Sequence, residues 1–208
     1  MGKSGGMITL VCGLIAVVIV FSSMFFTLSV VAAIASTATG GSAEPTDAGL
    51  GTGGGNLADG QAMSACQIEN FLKKEAAGDM RNSGPGLATA ATKYKVNPAM
   101  MLGIAMAENS LGRAGLAIPN KNPGNVKLDD ATARQEGIKV QGNDAEGHTI
   151  FADWEAGWSG MAYTLRRFYL DEGRNTLEKI AEIYLGPAKS TWINTVESVM
   201  KPALKTKC

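Results

Sequence analysis

Glu108 is a charged residue on the face of a predicted helix that is otherwise apolar. Met101, Ile104 and Ala105 precede it at the spacing that places residues on one side of a helix. A carboxylate on a packing face is costly to desolvate, and at a helix end it also meets the negative pole of the helix dipole. Both effects favour the protonated form, which a general acid needs near neutral pH. Glu108 is therefore our candidate general acid; a helix-end carboxylate bonded to Arg113 or to backbone amides is the alternative.

The composition excludes several other kinds of site. Lys and Arg total 19, as do Asp and Glu, and a chain without a basic excess is not typical of nucleic-acid-binding proteins. The chain has one histidine, His148, and three cysteines that lack C-x-x-C spacing, so we expect no metal site. We also expect no cofactor, and we interpret His148 as a surface residue of a hairpin.

Four helices are predicted to position Glu108. Asn97 and Pro98 begin the first, because Asn caps a helix and Pro suits the first helical position. Gly112 and Gly115 can end this helix after Glu108. Apolar residues at helical spacing predict the other three. The second helix follows the cap Asp153 and carries Trp154, Trp158, Met161, Leu165 and Phe168. The third follows the cap Thr176 and carries Leu177, Ile180, Ala181 and Tyr184. The fourth precedes Pro202 and carries Trp192, Val196, Val199 and Met200.

A β-hairpin is predicted between the first two of these helices. Residues 137–140 and 148–151 are short runs in which side chains alternate in polarity, and they flank a polar turn at residues 142–147. The predicted fold class is therefore α+β and mainly α, with one small β-hairpin lobe, in a single domain that spans residues 61–208.

The first 60 residues differ from this domain in composition. Residues 7–35 carry no charged side chain and would form a helix of about 44 Å, longer than the roughly 30 Å of a bilayer's hydrocarbon core. We interpret them as a transmembrane signal-anchor helix; a signal peptide cleaved after Ala35 is the alternative. Lys3 predicts a cytoplasmic N-terminus (1–6) and a single-pass cell-membrane protein with its C-terminal domain extracytoplasmic. Residues 36–60, rich in Gly and Ser, are predicted to be a flexible linker.

Several motifs between residues 97 and 200 occur together in one order. The first is an apolar helix that begins at Asn-Pro and runs towards Glu108 and Ser110, and an Asn-rich turn at 120–126 follows it. Residues 151–157 then carry aromatic, acidic and Gly residues where the next helix begins. The last motif is at residues 181–187, with a Trp nearby. This order resembles that of lysozyme-like peptidoglycan hydrolases, the lytic transglycosylases and the autolysin-type endo-β-N-acetylglucosaminidases. The resemblance implies a lysozyme-like fold and cleavage of the β-1,4 bond between amino sugars of peptidoglycan glycan strands, with Glu108 protonating the glycosidic oxygen.

Two departures from these families bear on the mechanism. Asn109 interrupts the usual Glu-Ser pair by one residue. Hydrolytic glycosidases also use a second carboxylate, and the resemblance makes Glu136 its candidate, whereas Asp144 and Glu146 are more typical of a solvated turn. If none of them faces Glu108, the lytic transglycosylase route remains. In that route the substrate's own 6-hydroxyl replaces water and an anhydro-sugar forms.

The resemblance also implies roles for residues around the candidate acid. Tyr184 would place its hydroxyl near Glu108 or near the developing positive charge, and a core tyrosine is the alternative. Asn122 and Asn125 would bond sugar hydroxyls or acetamido groups, unless they only form a turn. The three tryptophans are expected in the core rather than as sugar platforms, and they are Trp154, Trp158 and Trp192.

Cys66 and Cys208 lie almost at opposite ends of the predicted domain. Outside the membrane they could form a disulfide, and the chain-entropy model credits a loop of that length with up to about 5 kcal/mol of stabilisation. Two free thiols are the alternative.

Two functions follow from these expectations. The first is a membrane-anchored enzyme that cleaves peptidoglycan outside the cytoplasmic membrane, and such anchored forms resemble wall-opening components of conjugation or secretion machinery. The second is a catalytically silent glycan-binding or scaffolding subunit of such a machine, which the interrupted Glu-Ser pair favours.

Overall fold

The computed structural model describes residues 56–186 and 189–208. The predicted N-terminus 1–6, the predicted transmembrane helix 7–35 and all but the last residues of the predicted linker 36–60 lie outside the described residues. In the part of the chain that is described, no helix is both long enough and apolar enough to span a membrane.

The described residues form a mainly helical domain with one two-stranded antiparallel sheet, as the predicted fold class requires. The elements are, in chain order, α1 (Ala65–Glu75), α2 (Gly84–Tyr94), α3 (Pro98–Asn109), α4 (Ala117–Asn120), α5 (Asp130–Glu136), β1 (Val140–Asn143), β2 (Thr149–Phe151), α6 (Trp154–Leu165), α7 (Leu177–Tyr184) and α8 (Lys189–Leu204). A 3₁₀ turn (Gly78–Asn82) follows α1, and a π-helical turn (Arg166–Leu170) continues α6.

The folded domain begins before residue 61, where the linker was predicted to end. Leu57 is buried in the core, and its carbonyl accepts a hydrogen bond from the backbone N–H of Asn97. The side chain of Asn97 donates to the carbonyl of Asn56 and also caps α3, since its Oδ1 accepts from the backbone N–H of Ala99. Asn97 therefore fixes the start of α3 and ties the preceding segment to it.

Helix α3 lies in the core and carries Glu108 in its last turn. Every residue from Pro98 to Ala105 is buried, and α8 covers one side of the helix. At Gly103 the two helices approach so closely that a Cβ atom would lie 2.7 Å from the carbonyl oxygen of Val196. Trp192 lies about one turn before Val196 on α8, so this crossing brings Trp192 to the end of α3.

The π-helical turn after α6 changes which aromatic residue is buried. Helical spacing predicted Phe168 in the same buried stripe as Leu165, but Phe168 is 52% exposed. A π-helical turn holds more residues than an α-helical turn, so the chain rotates and Tyr169 enters the core instead, at 8% exposure. The prediction for Phe168 was wrong for this reason. The predicted cap of α6 is confirmed, since the Asp153 side chain accepts from the backbone N–H of Ala156.

The hairpin begins later in the chain than predicted. Its first strand starts at Val140 rather than at Gly137, because α5 extends to Glu136 and Gly137 ends that helix in the left-handed region, at φ 71°. In the sheet Val140 pairs with Phe151. Phe151 is buried against α6, where Gly160 has no Cβ to collide with its ring. The hairpin is thereby packed onto the helical part of the domain.

Candidate active site

Glu108 is half-buried, and its carboxylate accepts hydrogen bonds from two neutral donors. The indole Nε1 of Trp192 donates to Oε1 over 2.8 Å, and the amide Nδ2 of Asn125 donates to Oε2 over 3.4 Å. The alternative partner, Arg113, is exposed and donates to the carbonyl of Ser110. The ion pairs found within residues 56–186 and 189–208 do not include Glu108. The contacts that the structure gives the carboxylate are therefore hydrogen bonds from uncharged groups.

Asn109, the residue that interrupts the Glu-Ser pair, joins the end of α3 to the Asn-rich turn. Its side chain is buried, with Nδ2 donating to the carbonyl of Pro123 over 2.7 Å and Oδ1 accepting from the backbone N–H of Gly112 over 2.8 Å. The extra residue thus holds the turn beside Glu108. It has a structural use that the sequence alone did not indicate.

The two candidate sugar-binding asparagines of that turn have different surroundings. Asn122 is 1% exposed; its Nδ2 donates to the carbonyls of Val126 and Thr149, and its Oδ1 accepts from the backbone N–H of Val126. Asn122 therefore links the turn to β2, and its contact with a sugar stays a prediction. Asn125 is half-buried and reaches Glu108 from the left-handed region, at φ 47°, which Asn adopts more readily than most residues.

Tyr184 packs beside Trp192 and secures the same turn from the other side. Its hydroxyl donates to the carbonyl of Gly124, the residue before Asn125. Its ring centre lies 5.6 Å from that of Trp192 and 6.0 Å from that of Tyr169. Trp192, Tyr184 and Tyr169 therefore form one aromatic cluster at the end of α3, and the π-helical turn is what brings Tyr169 into it.

Burial beside Glu108 changes the pKa of both tyrosines. Burial raises the pKa of Tyr184 well above its usual value, and the charge of Glu108 raises it further. Burial also raises the pKa of Tyr169. The positive charge of Arg174 acts to lower this pKa, and the negative charge of Glu108 acts to raise it. Both hydroxyl groups are therefore neutral at physiological pH and keep their protons as hydrogen-bond donors.

Glu136, the candidate second acid, belongs to a different group of contacts. Its Oε2 accepts from the hydroxyl of Tyr94 over 3.1 Å and lies 3.8 Å from Nζ of Lys93. Burial raises the pKa of Tyr94, as do the charge of Glu136 and the hydrogen bond to it. These contacts place Glu136 against the end of α2, whereas Glu108 contacts α8 and the Asn-rich turn.

Asp144 organises the hairpin turn. Its Oδ1 accepts from the backbone N–H groups of Glu146 and His148, and its Oδ2 accepts from the side chain of Asn120 and lies 3.3 Å from Nδ1 of His148. Desolvation acts to raise the pKa of Asp144, but these hydrogen bonds together hold it below its usual value. Glu146 is exposed, and the side chain of His148, beside this network in the hairpin turn, is 22% exposed. No group of three or more His, Cys, Asp and Glu residues in the described part is placed to hold a metal ion.

The three tryptophans are buried, as predicted, but one of them also reaches the site. Trp154 and Trp158 are core residues, and the indole N–H of Trp158 donates to Oγ of Ser83 over 2.8 Å. Trp192 is 6% exposed, and its N–H meets Glu108. Sequence reasoning missed this contact because apolar spacing identifies a buried face and does not show where the one polar atom of a tryptophan points.

Cys66 and Cys208 form a disulfide, with Cα atoms 5.5 Å apart across a sequence separation of 142 residues. Two side-chain hydrogen bonds lie beside it. Nε2 of Gln67 donates to the carbonyl of Thr206, and Nδ2 of Asn70 donates to the carbonyl of Lys207. The segment after α8 is therefore held against α1.

The domain is similar in structure to S. aureus autolysin E. The crystal structure of that protein with the muropeptide NAM-L-Ala-D-iGlu, and that of a catalytic glutamate-to-alanine mutant with the disaccharide NAG-NAM, each match at 18% sequence identity and a TM-score of 0.52, over 69% of this chain and 67% of theirs. A further autolysin E structure matches with a TM-score of 0.51. No protein-family model and no curated protein matches the chain. The domain thus has an overall fold similar to that of autolysin E.

Proposed function

We propose that the domain cleaves the β-1,4 glycosidic bond between amino sugars of peptidoglycan, with Glu108 as the general acid. The observation that carries this proposal is a half-buried carboxylate held by two neutral donors, Trp192 and Asn125. Both contacts come from uncharged groups, and the ion pairs found among the described residues do not include Glu108. The fold shared with an autolysin that binds a muropeptide and a disaccharide in crystals supports a glycan as the substrate class.

In the proposed reaction, Glu108 gives its proton to the glycosidic oxygen as the bond from that oxygen to the anomeric carbon breaks. The leaving sugar departs as an alcohol, and positive charge develops on the sugar that remains. The carboxylate left on Glu108 is then available as a base. Tyr184 contributes indirectly, because its bond to Gly124 fixes the turn that carries Asn125.

The contacts of the other carboxylates favour a mechanism with one acid. Glu136 is bonded to Tyr94 and Lys93, and both oxygens of Asp144 are engaged in the hairpin turn. We therefore favour the lytic transglycosylase route over hydrolysis. In its second step the Glu108 carboxylate takes the proton of the substrate's 6-hydroxyl, whose oxygen bonds to the anomeric carbon and gives an anhydro-sugar.

Digestion of purified peptidoglycan by the full-length protein tests this proposal. Glu108→Gln keeps the size of the side chain but has no proton to transfer, and we expect it to lower the rate by about 10²- to 10⁴-fold. Glu178→Gln, at an exposed position in the first turn of α7, is the matched control and should retain the rate. If wild type and Glu108→Gln release the same sugars, or neither releases any, the enzymatic proposal is wrong.

The mass of the released sugars separates the two routes. An anhydro-sugar product is lighter by one water than the product of hydrolysis. A product that incorporates ¹⁸O from labelled water would reject the one-acid mechanism, and a second carboxylate such as Glu136 would then have to be tested by Glu136→Gln.

The proposal extends to where the enzyme works. Residues 7–35 would anchor the chain in the cell membrane, with the catalytic domain on the extracytoplasmic side, beside peptidoglycan, and the domain would open the wall for a conjugation or secretion machine. N-terminal sequencing of the protein from isolated membranes tests the anchor. A chain that starts near Ser36 would reject it.

The alternative is a catalytically silent subunit that binds or scaffolds glycan. It is favoured by Asn109, which interrupts the Glu-Ser pair and is committed to holding the Asn-rich turn. Binding of wild type and Glu108→Gln to insoluble peptidoglycan with equal affinity, without release of sugar by either, would support this alternative.

A further inference from the structure

The two oxygens of the Glu108 carboxylate have unequal neighbours. The indole N–H of Trp192 donates to Oε1 over 2.8 Å, which is an ordinary strong hydrogen bond, while Asn125 donates to Oε2 over a longer 3.4 Å. An indole N–H is a donor only and has no lone pair to accept a hydrogen bond. A proton on Oε1 would therefore compete with the Trp192 N–H at 2.8 Å, whereas a proton on Oε2 would meet only the longer, weaker contact from Asn125 at 3.4 Å.

Trp192 is also firmly held in its position. It is 6% exposed, and its ring packs against that of Tyr184. The helix that carries it is fixed against α3 by the close approach at Gly103 and Val196. The N–H therefore cannot turn away from Glu108 without disturbing the aromatic cluster or the helix crossing.

We propose that Trp192 is a positioning residue that keeps the transferable proton of Glu108 on Oε2. This inference rests on the proposed function, since it specifies which atom gives up the proton. The O–H bond at Oε2 breaks, a new O–H bond forms on the leaving sugar, and the electron pair stays on the carboxylate. The N–H of Trp192 then donates to an oxygen that has gained negative charge, so its hydrogen bond is stronger after the transfer than before.

The substitution Trp192→Phe tests this, because it keeps an aromatic ring and removes the N–H. We expect kcat to fall by about 10- to 100-fold with KM changed by less than about twofold, the size expected for one hydrogen bond to a charged group. An N–H donor also favours the ionised carboxylate, so its loss should move the alkaline limb of the pH–rate profile to higher pH. Trp158→Phe is the matched control, since it removes an indole N–H that donates to Ser83, and it should leave that limb in place.

A measurement on the wild-type protein decides the question if a variant fails to fold. In protein labelled with ¹⁵N-tryptophan, the indole signal of Trp192 should shift with pH along one titration curve, and Glu108→Gln should abolish that curve. The indole signal of Trp158 should not follow it.

The outcomes separate this inference from the proposed function. If peptidoglycan is cleaved but Trp192→Phe leaves kcat and the pH–rate profile unchanged, or if the Trp192 signal does not titrate, the positioning role is wrong. If the Trp192 signal titrates with Glu108 but no sugar is released, the proposed function is wrong and the hydrogen bond stands.

Discussion

Gly103 of α3 faces the backbone of Val196 of α8 at a distance that leaves no room for a side chain. This crossing, a little over one helical turn from Glu108, sets where α8 runs and therefore where the indole of Trp192 lies. The position of the candidate acid's strongest hydrogen-bond donor thus depends on a glycine that is buried in the helix crossing.

Gly103→Ala should reduce both stability and activity. In an exposed helix this change would stabilise the protein by about 1 kcal/mol, but here the added Cβ would meet a carbonyl oxygen at 2.7 Å, and overpacking of this kind costs about 1–3 kcal/mol. We expect a lower midpoint of urea unfolding together with a lower kcat, since α8 must shift. A stabilised variant with unchanged kcat would contradict this account of the crossing.

Tyr184→Phe should loosen the Asn-rich turn. It leaves the buried carbonyl of Gly124 without its donor, and an unsatisfied buried acceptor costs about 1–3 kcal/mol. We expect a corresponding drop in the free energy of unfolding and a decrease in kcat, because Asn125 loses its fixed position beside Glu108. Tyr163→Phe changes a half-buried tyrosine outside this cluster and serves as the control; an equal loss of kcat in both variants would argue against a specific role for Tyr184.

The stability of the domain should fall at alkaline pH. Burial raises the pKa of Tyr184, of Tyr169 and of Tyr94. These tyrosines therefore ionise at about pH 10 in the unfolded chain, whereas in the folded domain they are still neutral at that pH. The stability that these groups contribute is complete below the unfolded pKa and is lost as the pH rises through the folded pKa values. Urea midpoints measured from pH 8 to pH 12 should decline above about pH 10. A smaller decline in Tyr94→Phe is expected, and an identical one would contradict the assignment for that residue.

Loss of the disulfide should destabilise the domain without changing the site directly. The bond between Cys66 and Cys208 spans 142 residues, and the chain-entropy model predicts a loss of up to about 5 kcal/mol when such a loop is opened. Cys66→Ser should lower the urea midpoint about as much as reductant lowers that of the wild type. Reductant should have no further effect on the variant, and a further decrease would mean that another bond is involved.

Local sequence signals predicted the elements that carry the candidate acid. Asn97, Asp153 and Thr176 were identified as caps, and in the structure each accepts a hydrogen bond from a backbone N–H of the first helical turn. Helix α1 was not predicted, although Ser64 and Gln67 form a capping box at its start. Helix α2 was not predicted either, although Pro85 stands in its first turn, where proline is favoured.

Features set by tertiary contacts could not be predicted in the same way. Nothing in the spacing of residues 154–168 indicates a π-helical turn, so Tyr169 was not distinguished from Phe168. Asn122 and Asn125 are both turn asparagines in the sequence, and only the packing of the turn against β2 and α3 buries one and directs the other to Glu108. The sequence therefore did not separate the asparagine that is buried in the turn from the one that contacts Glu108.

The link between Cys66 and Cys208 turns the covalent path of the domain into a closed ring. A protease that cut this ring once, for instance at the exposed residues Ala145 and Glu146 of the hairpin turn, would not release a fragment. Glu108 lies before that point in the chain and Trp192 after it, yet both would remain in one molecule. A nicked domain could therefore keep acid and donor together in a medium that contains proteases.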